Sequence, residues 1–163
     1  MADRLADWPR FARLLWAPDD DVVPFAALST GVDLCYETFG DPTDPCLLLM
    51  HGMGSQLLLW EEGFCQALAA KGFRVVRYDH RDSGLSTTLS DPPAGQVAYT
   101  LSDMAADALA LLDHLGAPDA HIVGLSLGGM VAQVFAAEHP TRTRSLVSMS
   151  SNTGNLDYGQ PTV

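Results

Sequence analysis

The sequence predicts a three-layer α/β fold, a mostly parallel sheet with helices on both faces. Three observations carry that prediction. Strand-like and helix-like runs alternate along most of the chain, the connections between them are short, and Cys46-Leu47-Leu48-Leu49-Met50 is apolar throughout. Alternation with short links favours parallel strands joined by crossover helices. A continuously apolar strand is what such a sheet needs where both faces are covered.

The elements follow in order. Residues 1–21 read as an N-terminal extension, with a short helix around 11–16 and an acidic loop at Pro18-Asp19-Asp20-Asp21. Residues 22–163 read as the core. Runs 22–28 and 32–39 alternate as two strands, and Ser29-Thr30-Gly31 supplies the turn between them. Asp41-Pro42-Thr43-Asp44-Pro45 has loop chemistry, and the apolar strand 46–50 follows. Residues 56–71 place Leu57, Trp60, Phe64 and Leu68 on one helical stripe that stops at Gly72. Residues 73–78 form the next strand. Thr100 is a good N-cap with Asp103 in the capping-box position. Leu101, Met104, Ala105, Ala108, Leu111, Leu112 and Leu115 then keep a 3.6-residue period until Gly116. Strand 120–123, helix 127–139 (stopped by Pro140) and strand 145–149 complete six strands and three helices.

A chain of 163 residues, 47% hydrophobic and 18% charged, suffices for one soluble domain with a core. Its formal charge of -11 argues against nucleic acid, whose phosphates need clustered Lys and Arg, and against anionic membranes. Cys35, Cys46 and Cys65 are too few and too scattered for a disulfide framework or a zinc site, and no C-x-x-C occurs. No metal or organic cofactor is expected. Arg13 interrupts the N-terminal apolar residues, so no signal peptide is expected. No run approaches the ~18 apolar residues of a spanning helix. These features together predict a cytoplasmic protein.

The chemistry centres on Gly124-Leu125-Ser126-Leu127-Gly128, a G-x-S-x-G run lying between a strand and a helix. A serine there sits on a strained turn with its hydroxyl above the carboxyl edge of the sheet. Gly124 and Gly128 are read as the positions where a side chain would collide with neighbouring backbone. The helix N-terminus adds positive partial charge near a developing anion. Ser126 is thus the candidate nucleophile. A purely structural Gly-rich turn is the competing explanation, and its placement between strand and helix weighs against it. An oxyanion needs two donors. The backbone N–H of Leu127 is one candidate, and that of Met53, in Met50-His51-Gly52-Met53-Gly54-Ser55, is the other.

His51-Gly52 after an apolar strand, Asp79-His80-Arg81 with Gly84 and Ser86 after the next, and Gly124-Leu125-Ser126-Leu127-Gly128-Gly129 together resemble the α/β-hydrolase superfamily over residues ~22 to ~152. The segment Arg77-Tyr78-Asp79-His80-Arg81-Asp82-Ser83-Gly84-Leu85-Ser86-Thr87 is similar, more narrowly, to aclacinomycin methylesterase-like serine esterases, with Asp82 where most members carry Gly. The resemblance implies a carboxylic ester hydrolase that acts on a small-molecule ester through an acyl-serine intermediate. It also implies that Asp79, Arg81 and the turn to Ser86 fix a loop by charge-assisted hydrogen bonds. His80 is read as structural, and so are His114, His121 and His139.

In the superfamily the triad runs Ser, Asp or Glu, His, with the last two on loops after strands seven and eight. The resemblance therefore implies that this chain stops after strand six, without cap, acid or base. A few relatives place the acid after strand six, which leaves Asp157 as a candidate. The sixth strand, carrying Leu146 and Val147, is expected to form an open sheet edge, making the chain alone unstable, prone to aggregation or dependent on a partner. Two functions compete: a serine esterase whose full gene product supplies the missing partners, and a catalytically silent chain that at most binds a ligand or partner. Thioesterase, acyltransferase, carbon–carbon hydrolase and perhydrolase share these motifs. Haloalkane dehalogenase and epoxide hydrolase are disfavoured because they carry Asp at the position of Ser126.

Overall fold

A computed structural model describes residues 24–89 and 92–154. The strands are β1 (Phe25–Ala27), β2 (Asp33–Phe39), β3 (Cys46–Met50), β4 (Arg74–Tyr78), β5 (Ala120–Leu125) and β6 (Thr143–Met149). The helices are α1 (Glu62–Ala69), α2 (Leu101–His114) and α3 (Leu127–Glu138), with single 3-10 turns at Leu57–Leu59 and Pro140–Arg142. One sheet has the order β1-β2-β4-β3-β5-β6. The pairs β1–β2 and β2–β4 are antiparallel, whereas β4–β3, β3–β5 and β5–β6 are parallel. The expected fold class, six strands with helices on both faces, is what forms.

Strand alternation sorts the core into two layers. Cys46, Leu48 and Met50 of β3, Val76 and Tyr78 of β4, and Ala120 and Ile122 of β5 pack under α2 and α3 with Met104, Leu111, Val131 and Phe135. Leu47, Leu49 and Val75 point to the other face, against Trp60 and Cys65. Because successive strand residues face opposite ways, β3 can be buried at every position, as it is. The capping box of α2 is complete: Thr100 Oγ1 accepts from the Asp103 N–H, and the Asp103 carboxylate accepts from the Thr100 N–H.

Two expectations change. The single helix over 56–71 is instead a 3-10 turn followed by α1. The break falls where long-range bonds hold the backbone: Asp79 Oδ1 accepts from the Leu57 N–H at 2.7 Å, and Arg77 Nη1 donates to the Trp60 carbonyl. The helical phase moves as a result, so that Cys65 is buried and Phe64 is 47% exposed. The first strand covers only Phe25–Ala27, with residues 22 and 23 outside the described part. The extension over 1–21 and Asp157 also lie outside it. At the other end of the sheet β6 is an edge strand that exposes Leu146 and Val147. Among the described residues no helix is long and apolar enough to cross a membrane.

Sheet order decides where a site forms. From β3 the chain crosses to β4 on one side, and it later returns past β3 to β5 on the other. Connections that diverge in this way leave a crevice above the carboxyl ends of the strands, the usual ligand position in an open α/β sheet.

Candidate active site

Residues 51–54 after β3, 79–89 after β4, 150–154 after β6 and the β5–α3 turn at Ser126 reach that edge. Ser126 is the N-cap of α3 with φ 54 and ψ -116, a conformation that non-glycine residues seldom adopt. It is exposed, and its Oγ forms no hydrogen bond among the described residues. The glycines around it are sterically required. A Cβ at Gly124 would overlap the Gly128 carbonyl, and one at Gly128 would overlap the Met50 carbonyl. These two contacts draw the end of β5, the start of α3 and the end of β3 together. Gly52 lies alongside, where a Cβ would sit 3.4 Å from Ser126 Cβ.

The amides read from the sequence lie in the same region. Neither the Met53 nor the Leu127 N–H has an acceptor among the described residues. Leu127 is the first residue of α3, whose early N–H groups have no partner within the helix. Met53 belongs to the turn after β3 and is 78% exposed. Oriented, unsatisfied amides beside an exposed hydroxyl suit a ligand that carries developing negative charge on oxygen.

The loop after β4 is built differently, because its polar groups are committed. Asp79 accepts from the Leu57 N–H at 2.7 Å and from the Leu85 N–H at 2.9 Å. Burial pushes its carboxyl above the usual range, partly offset by those two bonds. Ser86 Oγ donates to the Asp79 carbonyl and accepts from the Cys35 N–H, which ties the loop to β2. Gly84 passes so close to the Asp79 carboxylate that a side chain has no room. Arg81 makes a bidentate pair with Asp107 of α2, at 2.6 and 2.7 Å, and stacks over Tyr99. Asp107 had no part in the sequence reading. The available signal was a carboxylate three residues after Met104 on the buried stripe of α2, a position that demands a cationic partner. Asp82 takes φ 60, and its carboxylate accepts from the Leu89 N–H.

The histidines are spent on structure. His51 Nδ1 donates to the Gly52 carbonyl at 2.8 Å, which leaves Nε2 as acceptor for the His80 N–H at 3.2 Å. His80 Nε2 in turn donates to the His51 carbonyl. The bond that His51 Nε2 accepts needs that ring neutral, with its proton on Nδ1. Burial lowers the His51 pKa, and burial together with the neighbouring His51 ring lowers that of His80 to about 3. His114 meets Tyr36 edge-on, His121 bonds Ser145 Oγ, and His139 caps α3 against Phe135. None of these rings bonds to Ser126 among the described residues.

No group of His, Cys, Asp and Glu among the described residues forms a metal site. Cys35, Cys46 and Cys65 are buried and form no disulfide among the described residues, and burial raises the Cys46 pKa to about 11. A cavity of about 320 Å³ beside Cys46, Arg74 and Arg144 lies at the amino ends of the strands, away from Ser126.

Residues 45–162 match the family model of the alpha/beta hydrolase fold. The chain is 38% identical over 127 residues to rhodomycin D methylesterase of Streptomyces peucetius, an alignment covering 78% of this chain and 42% of that protein. It is 34% identical over 116 residues to 3-oxoadipate enol-lactonase 2 of Acinetobacter baylyi, covering 71% and 40% respectively. The fold superposes on the crystal structure of a hydrolase from Pseudomonas aeruginosa with a TM-score of 0.72 at 37% identity, covering 82% of this chain and 47% of that one. The chain thus spans less than half the length of the relatives it matches. Family model, relatives and sheet order agree, and the chain belongs to the α/β hydrolase fold family.

Proposed function

We propose that this chain carries the nucleophile and the oxyanion donors of a carboxylic ester hydrolase. The observation that carries the proposal is Ser126 itself: an exposed, unbonded hydroxyl on a left-handed turn at the N-terminus of α3. In the proposed reaction Oγ attacks the ester carbonyl carbon while a base takes its proton. The carbonyl oxygen becomes an anion held by the N–H groups of Leu127 and Met53. Collapse expels the alcohol, which receives that proton, and leaves an acyl group on Ser126. Water, activated by the same base, then releases the carboxylic acid and restores the serine.

The described residues bring no base to Ser126. His51 and His80 are excluded by their hydrogen bonds, His114 and His121 bond elsewhere, and His139 caps the opposite end of α3 from Ser126. We therefore place the base and its carboxylate partner outside the described residues, as the family order of Ser, acid and His implies. Two similarities favour a small-molecule ester as substrate. One is to a protein named a methylesterase and the other to an enol-lactonase. A methyl ester is the narrower expectation, because the segment 77–87 carries the methylesterase-like pattern. A protein of this kind needs no membrane or nucleic-acid partner, and we place it in the cytoplasm.

A second reading follows from the same absence of a base: the 163-residue chain by itself binds an ester without turning it over. Hydrolysis of a panel of small methyl and p-nitrophenyl esters separates the two. The full gene product should turn over at least one ester, and Ser126→Ala should abolish that turnover. Failure across the panel, or undiminished turnover in Ser126→Ala, would reject the proposal. Ester turnover by the purified 163-residue chain, lost in Ser126→Ala, would reject the second reading.

A further inference from the structure

The strained backbone of Ser126 is held from β6 as well as from its own helix. Its N–H donates to the Met149 carbonyl at 2.9 Å. Its carbonyl accepts from the Met130 N–H of α3 at 3.1 Å and also from Ser151 Oγ at 2.7 Å. The segment that delivers this hydroxyl is itself unusual, because Ser150, directly after β6, takes φ 46. It is also fastened to α3. Gln133 Nε2 donates to Ser148 Oγ at 2.9 Å and to the Asn152 carbonyl at 3.0 Å, on either side of the Ser150-Ser151 pair. Gly129 permits the close approach, since a Cβ there would lie 2.5 Å from Ser151 Cβ.

The Ser126 carbonyl already has its helical donor, so the bond from Ser151 is not needed to satisfy it. What it does is fix a plane. The peptide joining Ser126 to Leu127 is rigid, and its carbonyl and the Leu127 N–H point in opposite directions along it. A bond that holds the carbonyl therefore aims the N–H and restrains the ψ of Ser126. We propose that Ser151 is a positioning residue for Ser126, its hydroxyl clamping the Ser126–Leu127 peptide against the segment that follows β6, an assignment that rests on the reading of Ser126 as the nucleophile.

The test needs no base and no substrate. Ser126→Cys places a thiol at this exposed turn while the three native thiols stay buried. Its alkylation by iodoacetamide, followed against pH in the folded protein, reports the thiol's pKa. At the N-terminus of α3 that pKa should lie below the ordinary ~8.5 of a free cysteine. Adding Ser151→Ala should raise the midpoint by about half a pH unit or more, because the relaxed turn moves the thiol off the helix axis. Ser151→Thr, which keeps the hydroxyl, should restore the lower midpoint. If Ser151→Ala fails to fold, Ser151→Gly makes the same deletion and is read the same way. A depressed midpoint that Ser151→Ala leaves in place, or that Ser151→Thr raises equally, overturns the clamp and leaves the reading of Ser126 standing. An ordinary midpoint with Ser151 intact overturns both.

Discussion

The ends of β4 and β5 lie at the same edge of the sheet, yet they treat their polar groups in opposite ways. After β4 come Asp79, His80, Arg81 and Asp82, the densest run of titratable side chains in the fold, and each is committed to a partner. After β5 comes one neutral hydroxyl with no hydrogen bond among the described residues. Chemical richness in the sequence thus marks the scaffold, and the candidate for reaction is the group left free. Strain divides in the same way. Asp82 and Ser126 both have positive φ, but Asp82 is repaid by the Leu89 N–H, whereas the side chain of Ser126 gains nothing locally. Backbone strain without a local return is expected where function requires the geometry.

That contrast can be broken by exchanging the fates of the two ends. Ser126→Ala should lower kcat of the full gene product by about 10⁵-fold or more, as loss of a nucleophile does. Its folding stability should stay within about 0.5 kcal/mol, since no partner of Oγ is lost. Denaturant titration beside the rate assay shows both effects. Ser126→Gly should also abolish turnover and in addition stabilise the fold by about 1 kcal/mol, because a φ of 54 costs glycine nothing. A destabilised glycine variant would mean that the turn is not strained.

On the β4 side the largest effect is on folding. Asp107→Ala leaves the Arg81 guanidinium buried without its carboxylate, a defect that costs about 3–5 kcal/mol. Urea denaturation measures it, and a loss under 1 kcal/mol would mean that the pair is solvated. Removal of both charges, as in Arg81→Met with Asp107→Leu, should recover most of the loss.

The histidine pair predicts a smaller, pH-dependent effect. The folded-state pKa of His80 is depressed, to about 3 from an ordinary 6.5, so the unfolded chain binds the extra proton first. Stability from this group is complete above about pH 6.5. It falls as pH drops toward 3, by up to about 1.4 kcal/mol per pH unit. His51, also depressed, adds in the same direction, while the raised Asp79 opposes it at the acid end of the window. His80→Gln, whose amide still has an N–H for the His51 carbonyl, should flatten the slope between pH 6.5 and 5 without abolishing turnover. Loss of activity in His80→Gln at full stability would move His80 from scaffold to chemistry.

Much of this arrangement was legible in the sequence because its signals are local. Cys46–Met50 is apolar at every position, Thr100 and Asp103 form their capping box, and Gly124 and Gly128 flank Ser126 where backbones crowd. What escaped was set by partners distant in the chain. The helical period continues unbroken through Trp60, but the backbone does not, because Asp79 and Arg77 hold it from another strand. Asp107 looked like one more polar residue of α2 until Arg81 arrived from β4. Ser151 carries no signal at all, because its role depends on a carbonyl 25 residues away. Periodicity and turn chemistry read bonds within an element, whereas these contacts arise only when elements dock.

The most direct test of the free hydroxyl is covalent. A fluorophosphonate probe applied to the full gene product, followed by peptide mass spectrometry, should place one adduct on Ser126 and none in Ser126→Ala. Labelling should persist in His80→Gln. An adduct on another residue, or equal labelling of Ser126→Ala, would contradict the account.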